Sequence, residues 1–99
     1  MGKIMNSEEI IKKLEKNKGR IKNKGVIKIG VFGSFIKGTA KKKSDIDIIV
    51  NFNKISYKNY FELLIMLEKL FKRRIDLVIE EDLKPELKYV KKEAKYVKI

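Results

Sequence analysis

Three apolar runs of strand length, separated by segments with helical spacing, limit this chain to a fold that alternates helices and strands. The runs cover residues 26–32, 45–52 and 75–79. They are rich in Val and Ile, and β-branched residues favour strands because they pack well on a pleated surface. The predicted order is α-β-α-β-α-β-α, an α/β (α+β) arrangement in which helices cover at least one side of the strands.

Four helical segments are predicted from apolar spacing and from capping residues. They run from Asn6 or Ser7 to a stop at 23–25, over 35–40, over 57–71, and from Pro85 through Val97. Pro85 suits a first helical turn, where a missing N–H costs nothing. The apolar residues of the long third helix cover a broad face, which indicates burial on one side.

The composition narrows the chemistry that the chain can perform. Its 99 residues are enough for one domain, residues 1–99, with a modest core. It has no Cys, which excludes disulfides and thiolate metal sites, and no His, which removes the usual general base. Any metal chemistry therefore depends on carboxylates, which favour hard cations such as Mg²⁺ or Mn²⁺. No apolar run approaches the length of a membrane span, so we expect a cytoplasmic protein with no membrane partner.

The net charge of +12 comes mainly from Lys, which far outnumbers Arg. Such a charge indicates attraction to a polyanion, whether a nucleotide, a nucleic acid or an acidic protein. The alternative is that the lysines only solvate the surface, as in the Lys- and Glu-rich proteins of heat-adapted organisms. Direct nucleic-acid binding stays open, although no helix-turn-helix, RRM or zinc pattern supports it.

Gly33 and Ser34 follow the first predicted strand and precede a short helix. Free backbone N–H groups at such a turn suit a phosphate, and Gly lets the backbone approach it closely. The Ser34 hydroxyl can add a hydrogen bond. The alternative is an ordinary turn between a strand and a helix.

Asp45 and Asp47 lie two residues apart in the second predicted strand. Alternate side chains of a strand share a face, so the two residues would lie about 7 Å apart at their Cα atoms. Carboxylates that close repel each other unless a cation lies between them. The alternative is that Asp45 only caps the strand after Ser44, while Asp47 faces solvent.

Asp76 is a third carboxylate, inside the third apolar run. A charge there is costly unless it is paired or bound to a metal, and the alternative is an outward-facing Asp76 paired with Arg73 or Arg74. Together with Asp45 and Asp47, it could hold two Mg²⁺ ions around a triphosphate and stabilise the leaving pyrophosphate. Because the chain has no His, Asp76 is also a candidate base for an attacking hydroxyl.

The spacing of these residues resembles a known signature. The chain has Gly33-Ser34, ten intervening residues, and then Asp45-x-Asp47. This pattern is similar to that of the polymerase-β-like nucleotidyltransferase superfamily. The fuller run, GVFGSFIKGTAKKKSDIDIIVNF, resembles its minimal nucleotidyltransferase (MNT) branch, and the later segments RIDLV and LKPEL also fit that branch.

The resemblance implies a mixed sheet flanked by helices, Mg²⁺ as cofactor, and a nucleoside triphosphate substrate, usually ATP. The residues it implies are Gly33, Ser34 and Lys37 for the nucleotide, and Asp45, Asp47 and Asp76 for metal binding and catalysis. Lys37 stands where many relatives have Arg. The change keeps the positive charge but loses a bidentate contact with phosphate.

The resemblance also implies a partner, because MNT proteins are commonly paired with a HEPN-domain toxin. Some act as antitoxins by transferring AMP to a tyrosine of that partner, so we expect a protein adenylyltransferase. The alternative is a non-catalytic antitoxin or nucleotide-binding module that neutralises the partner by complex formation. A partner or a second copy would supply the acceptor pocket, which makes a homo- or hetero-oligomer possible. The lysines at 41–43 are predicted to be exposed beside the site, either to attract the triphosphate or an acidic partner, or only as a solvated loop.

Overall fold

A mixed four-stranded sheet forms the centre of the computed structural model, which describes residues 6–41 and 43–99. The strands are β1 (Val26–Phe32), β2 (Ile46–Phe52), β3 (Ile75–Ile79) and β4 (Lys95–Val97). Their order across the sheet is β3-β2-β1-β4. The β1–β2 and β1–β4 pairs are antiparallel and the β2–β3 pair is parallel, which confirms the mixed sheet.

Within the part of the chain that the structure describes, five α-helices lie between and beside the strands. They are α1 (Ser7–Lys16), α2 (Lys18–Lys22), α3 (Ser34–Lys37), α4 (Tyr57–Phe71) and α5 (Tyr89–Glu93), with short 3₁₀ turns at Glu80–Asp82 and Pro85–Leu87. The predicted cap is confirmed, since Asn6 Oδ1 accepts a hydrogen bond of 2.9 Å from the Glu9 N–H. Ser56 caps α4 in the same way through Asn59, at 3.1 Å.

The first predicted helix is interrupted at Asn17, where the backbone leaves the helical region at φ −106° and ψ 15°. The Asn17 side chain donates to the Lys13 carbonyl at 2.8 Å, a contact that competes with continuing backbone bonds. The segment therefore forms α1 and α2 instead of one helix.

The prediction of a last helix from Pro85 through Val97 is wrong. The helix α5 ends before Ala94, which is extended at φ −66° and ψ 141°, and residues 95–97 form β4. Tyr96 pairs with Gly30, and Val97 pairs with Ile29, on the outer side of β1. That pairing satisfies backbone groups of β1 that would otherwise form an open edge.

The sheet has a core face and a second face. On the core face, side chains of β1 and β2 pack with α1 and α4 in one apolar cluster that includes Ile29, Val31, Ile48, Leu14 and Leu67. Because side chains alternate along a strand, the second face of β2 presents Asp47, Ile49 and Asn51. Ile49 is fully buried outside that cluster, so the second face is also covered at its centre.

Lys41 and Lys43 are exposed as predicted, whereas Lys42 and residues 1–5 lie outside the described residues. Among the described helices, none is both long enough and apolar enough to cross a membrane.

Candidate active site

The turn at Gly33 brings the backbone against the Asp47 side chain. Gly33 has φ 75° and ψ −146°, a conformation that side chains rarely adopt, and a Cβ atom there would overlap the Asp47 carboxylate. The next residue, Ser34, donates its backbone N–H to that carboxylate. Gly33 is therefore required both for its backbone conformation and for the close approach.

Asp47 and Asp76 lie directly opposite each other on the parallel strands β2 and β3. Their carboxyl groups are within hydrogen-bond contact. Burial, the negative charge of Asp76 and the hydrogen bond between the two groups together raise the pKa of Asp47 to about 6. The Ser34 N–H opposes this shift because it stabilises the charged form.

Asp45 lies one residue before β2, which begins at Ile46 and not at Asp45 as the sequence predicted. The Ile46 N–H donates to the Arg74 carbonyl at 3.0 Å, so the parallel pairing with the β3 side begins there. Asp45 is exposed, and its negative charge also raises the pKa of Asp47. The three carboxylates therefore interact electrostatically, with Asp47 at the centre.

The loop before Asp45 is held in place by Ser44 and Arg73. Ser44 Oγ accepts from the Lys41 N–H at 2.7 Å, and the Ser44 carbonyl accepts from Arg73 at 3.0 Å. The Arg73 guanidinium also lies 5.4 Å from the centre of the Phe35 ring, a cation–π contact with α3. Arg73 thus links the loop, α3 and the start of β3. The sequence offered Arg73 only as an alternative partner for Asp76.

The donor set suits a hard divalent cation. All the candidate ligands are carboxylate oxygens, and crowded carboxylates with a raised pKa are stabilised by a cation. Within residues 6–41 and 43–99, no three acidic side chains already surround one metal position. The arrangement is a close pair, Asp47 and Asp76, with Asp45 beside it.

Lys37 is the last residue of α3, and its side chain is paired with α5. Its Nζ lies 3.8 Å from Glu93 Oε2, and both side chains are largely exposed. In this arrangement Lys37 is on the same short helix as Ser34 but is paired with Glu93.

Tyr60 of α4 is a residue near the site that the sequence did not indicate. Its hydroxyl donates to the Leu77 carbonyl at 2.7 Å, one residue beyond Asp76. Burial raises the pKa of Tyr60, and the charge of Asp76 raises it further. Its position depends on how α4 packs beside β3, a non-local contact that spacing along the chain does not show.

A model of the family described as polymerase beta, nucleotidyltransferase matches residues 8–97. The chain belongs to this nucleotidyltransferase family. The matched range includes the Gly33 turn and all three carboxylates of the site.

This nucleotidyltransferase is similar to several characterised or solved proteins. The protein adenylyltransferase MntA of Thermococcus cleftensis is 41% identical over 97 residues, which cover 95% of this chain and 98% of the relative. A solved minimal nucleotidyltransferase has a TM-score of 0.80 at 31% identity and covers 95% of this chain and 98% of its own. A toxin–antitoxin structure with AMP-PNP has a TM-score of 0.66 at 28% identity, covering 93% of this chain and 72% of that chain.

One further solved structure shows likeness of fold alone. It is a tri-AMPylated Shewanella oneidensis HEPN toxin in complex with MNT antitoxin, with a TM-score of 0.61 at 21% identity. The match covers 87% of this nucleotidyltransferase and 70% of that chain.

Proposed function

We propose that this nucleotidyltransferase transfers AMP from ATP to a HEPN-domain partner protein, as the antitoxin of a toxin–antitoxin pair, and that residues 1–99 act as one minimal domain in the cytoplasm. The carboxylates of Asp47 and Asp76 against the Gly33–Ser34 backbone are the observation on which the proposal rests. AMP transfer to a protein is supported by the similarity to MntA, a protein adenylyltransferase. Support for the partner comes from the toxin–antitoxin complexes that share the fold.

In the proposed mechanism, Asp45, Asp47 and Asp76 would bind magnesium, and the complete site would hold two ions. When bound, Mg²⁺ supplies charge neutralisation of the triphosphate and stabilises the leaving pyrophosphate. Gly33 and Ser34 bind the phosphates, since a glycine permits a close backbone approach. Because the Ser34 N–H is bonded to Asp47, Ser34 contributes its hydroxyl to the phosphates.

Lys37 adds positive charge for the phosphates. Its pair with Glu93 is exposed and long at 3.8 Å, so it costs little to break when a triphosphate competes for the ammonium group.

In the proposed reaction, Asp76 is the base that acts on the acceptor hydroxyl. Its side chain is exposed at the end of the carboxylate row, so a hydroxyl can reach it. Asp76 takes the proton from that hydroxyl as the hydroxyl oxygen attacks the α-phosphorus. A new phosphorus–oxygen bond forms, the bond to the β-phosphate oxygen breaks, and pyrophosphate leaves.

Label transfer tests this proposal. The chain is incubated with Mg²⁺, a HEPN-domain toxin and ATP labelled either at the α- or at the γ-phosphate. We expect the toxin to acquire the α-label and not the γ-label, and Asp47→Asn to reduce the rate at least about a hundredfold. Absence of α-label on the toxin with the wild-type chain would refute AMP transfer.

A second experiment separates chemistry from complex formation. Cells that express the toxin are supplied with the wild-type chain or with the double variant Asp45→Asn/Asp47→Asn. We expect only the wild type to restore growth. Equal protection by the double variant would mean that the antitoxin acts by binding alone.

A further inference from the structure

A groove of about 560 Å³ lies between the start of α4 and the edge strand β3. Its apolar lining includes Ile55, Tyr57, Phe61, Val78 and Ile79. The groove is separate from the Gly33 turn and from Asp47, which do not line it.

The rim of the groove exposes large apolar side chains. Tyr57 is 85% exposed, Phe61 53% and Ile55 46%. Tyr57 and Phe61 are four residues apart on α4 and therefore share one face of the helix. A contiguous exposed apolar surface of this kind is typical of a site that another protein covers.

The groove lies next to the candidate active site along β3, because Leu77, which lines the groove, directly follows Asp76 in that strand. Phe32, Asp47 and Asp76 are opposite one another in register and form a row across β1, β2 and β3. Gly33 follows Phe32 at the β1 end of this row, and Leu77, which lines the groove, follows Asp76 at the β3 end. The Gly33 turn and the groove therefore lie at opposite ends of this row.

Tyr60 connects the groove to Asp76. Its ring lines the groove and packs edge-to-face on Phe61 at 5.4 Å between ring centres, while its hydroxyl is bonded to the Leu77 carbonyl. The hydroxyl occupies a backbone acceptor of β3, so a partner would bind by placing side chains in the groove more readily than by adding a strand.

We propose that this groove is the docking site of the acceptor protein, which places an apolar side chain between Tyr57, Phe61 and Val78 and so presents its reactive hydroxyl to Asp76. The proposal rests on the function proposed above and specifies the partner surface of the same site. An acceptor that enters from the β3 side meets the carboxylate row at its open end, while the triphosphate occupies the β1 side.

The test compares two aspartate substitutions on α4. Phe61→Asp places a charge in the groove, whereas Ile65→Asp, at a position 51% exposed and outside the groove, is the matched control. Both sites are on the surface, so both variants should fold, and Tyr57→Ala is a second groove variant at a still more exposed position. Binding of a HEPN-domain toxin is measured by calorimetry without ATP, and label transfer is measured with Mg²⁺ and ATP.

We expect Phe61→Asp to weaken toxin binding at least about tenfold and to raise the KM for the toxin equally, because truncating or charging an interface centre commonly has this effect. Ile65→Asp should change either quantity less than about twofold, and both variants should bind AMP-PNP as the wild type does. Equal toxin binding by the two variants, or no toxin binding by the wild type, would overturn the docking proposal. Toxin binding that depends on Phe61 without any label transfer would instead contradict AMP transfer and leave the docking site supported.

Discussion

Asp47 is the residue at which burial, charge and backbone contact act together. Its pKa of about 6 means that the folded chain disfavours the charged carboxylate in the absence of a cation. The stabilising effect of a neutral Asp47 is fully present below the ordinary value of 3.8 and is lost as the pH rises through about 6. At neutral pH the site is therefore a source of instability that a bound cation would remove.

The substitution Asp47→Asn should stabilise the metal-free chain above pH 6. An amide can still accept from the Ser34 N–H and can donate to Asp76, while the repulsion is removed. Asp47 is partly exposed, so after discounting for solvent screening we expect a gain of about 1 kcal/mol at pH 8 and almost none below pH 4. Urea unfolding with a chelator at several pH values measures this.

Magnesium provides the control for that prediction. It should raise the free energy of unfolding of the wild type at pH 8 and have a much smaller effect on Asp47→Asn. A variant that is less stable than the wild type at pH 8 without metal would contradict the described crowding of Asp47 and Asp76.

Gly33→Ala should destabilise the fold and stop AMP transfer. The added Cβ overlaps the Asp47 carboxylate, and the φ of 75° is strained for any side chain. Gly38→Ala is a control for strain in the left-handed region alone, since Gly38 has φ 76° and ψ 16° and nothing within 4 Å of the added Cβ. We expect a loss of about 1 kcal/mol for Gly38→Ala, from backbone strain alone, and more than about 2 kcal/mol for Gly33→Ala. Thermal unfolding measures both, and equal losses would contradict the close contact.

Among the elements, β4 is held by a polar cluster centred on Glu80. Glu80 Oε1 accepts from the Tyr96 hydroxyl at 2.9 Å, and its Oε2 accepts from Asn51 Nδ2 at 2.9 Å. Lys28 lies 3.6 Å from Glu80 and 4.0 Å from the Tyr96 ring centre. Burial alone would raise the pKa of Glu80, but these partners and the charge of Lys91 hold it below its usual range.

Glu80→Gln should loosen β4 from β1. The substitution removes the charge opposite Lys28 and places an amide donor against Tyr96 or Asn51, so we expect a loss of about 1–2 kcal/mol. Hydrogen exchange should show faster exchange of the residues 95–97 amides. The lowered pKa also predicts that this stabilisation is present above the ordinary value of 4.5 and is lost as the pH falls below it. Unchanged exchange in the variant would show that the cluster does not hold β4.

Elements with strong local patterns could be predicted from the sequence. The strands β1, β2 and β3 have β-branched runs, and α4 has a long apolar face, so local spacing was enough. The strand β4 has three residues and exists because it pairs with the free side of β1, which no local pattern reveals. The break at Asn17 similarly depends on one side-chain hydrogen bond.

The site shows the same division between local and non-local information. The spacing of Asp45 and Asp47 indicated a carboxylate pair, and the Gly33-Ser34 turn indicated a close backbone approach. The structure adds that Asp47 is paired most closely with Asp76, because β2 and β3 are parallel and in register there. Register between strands distant in sequence is set by the whole sheet, so the sequence indicated that Asp76 joins the other two carboxylates but not that it lies closest to Asp47.

In the molecule as a whole, the row that contains Asp47 and Asp76 crosses the sheet, and a different feature lies at each of its ends. The β1 end has the Gly33 turn, and the β3 end has Asp76 and the apolar groove beside it. Under the proposed function, this arrangement would give a nucleotide and a protein acceptor different routes to the same carboxylates. We expect a metal-bound triphosphate to occupy the β1 side of this row.

Anomalous diffraction from crystals grown with Mn²⁺ and AMP-PNP would locate both the metal and the triphosphate. We predict a manganese peak bound by Asp45 and Asp47, a triphosphate against the Gly33 and Ser34 backbone, and no peak in crystals of Asp47→Asn. AMP-PNP bound without manganese at these carboxylates, or located away from the Gly33 turn, would contradict this assignment of the site.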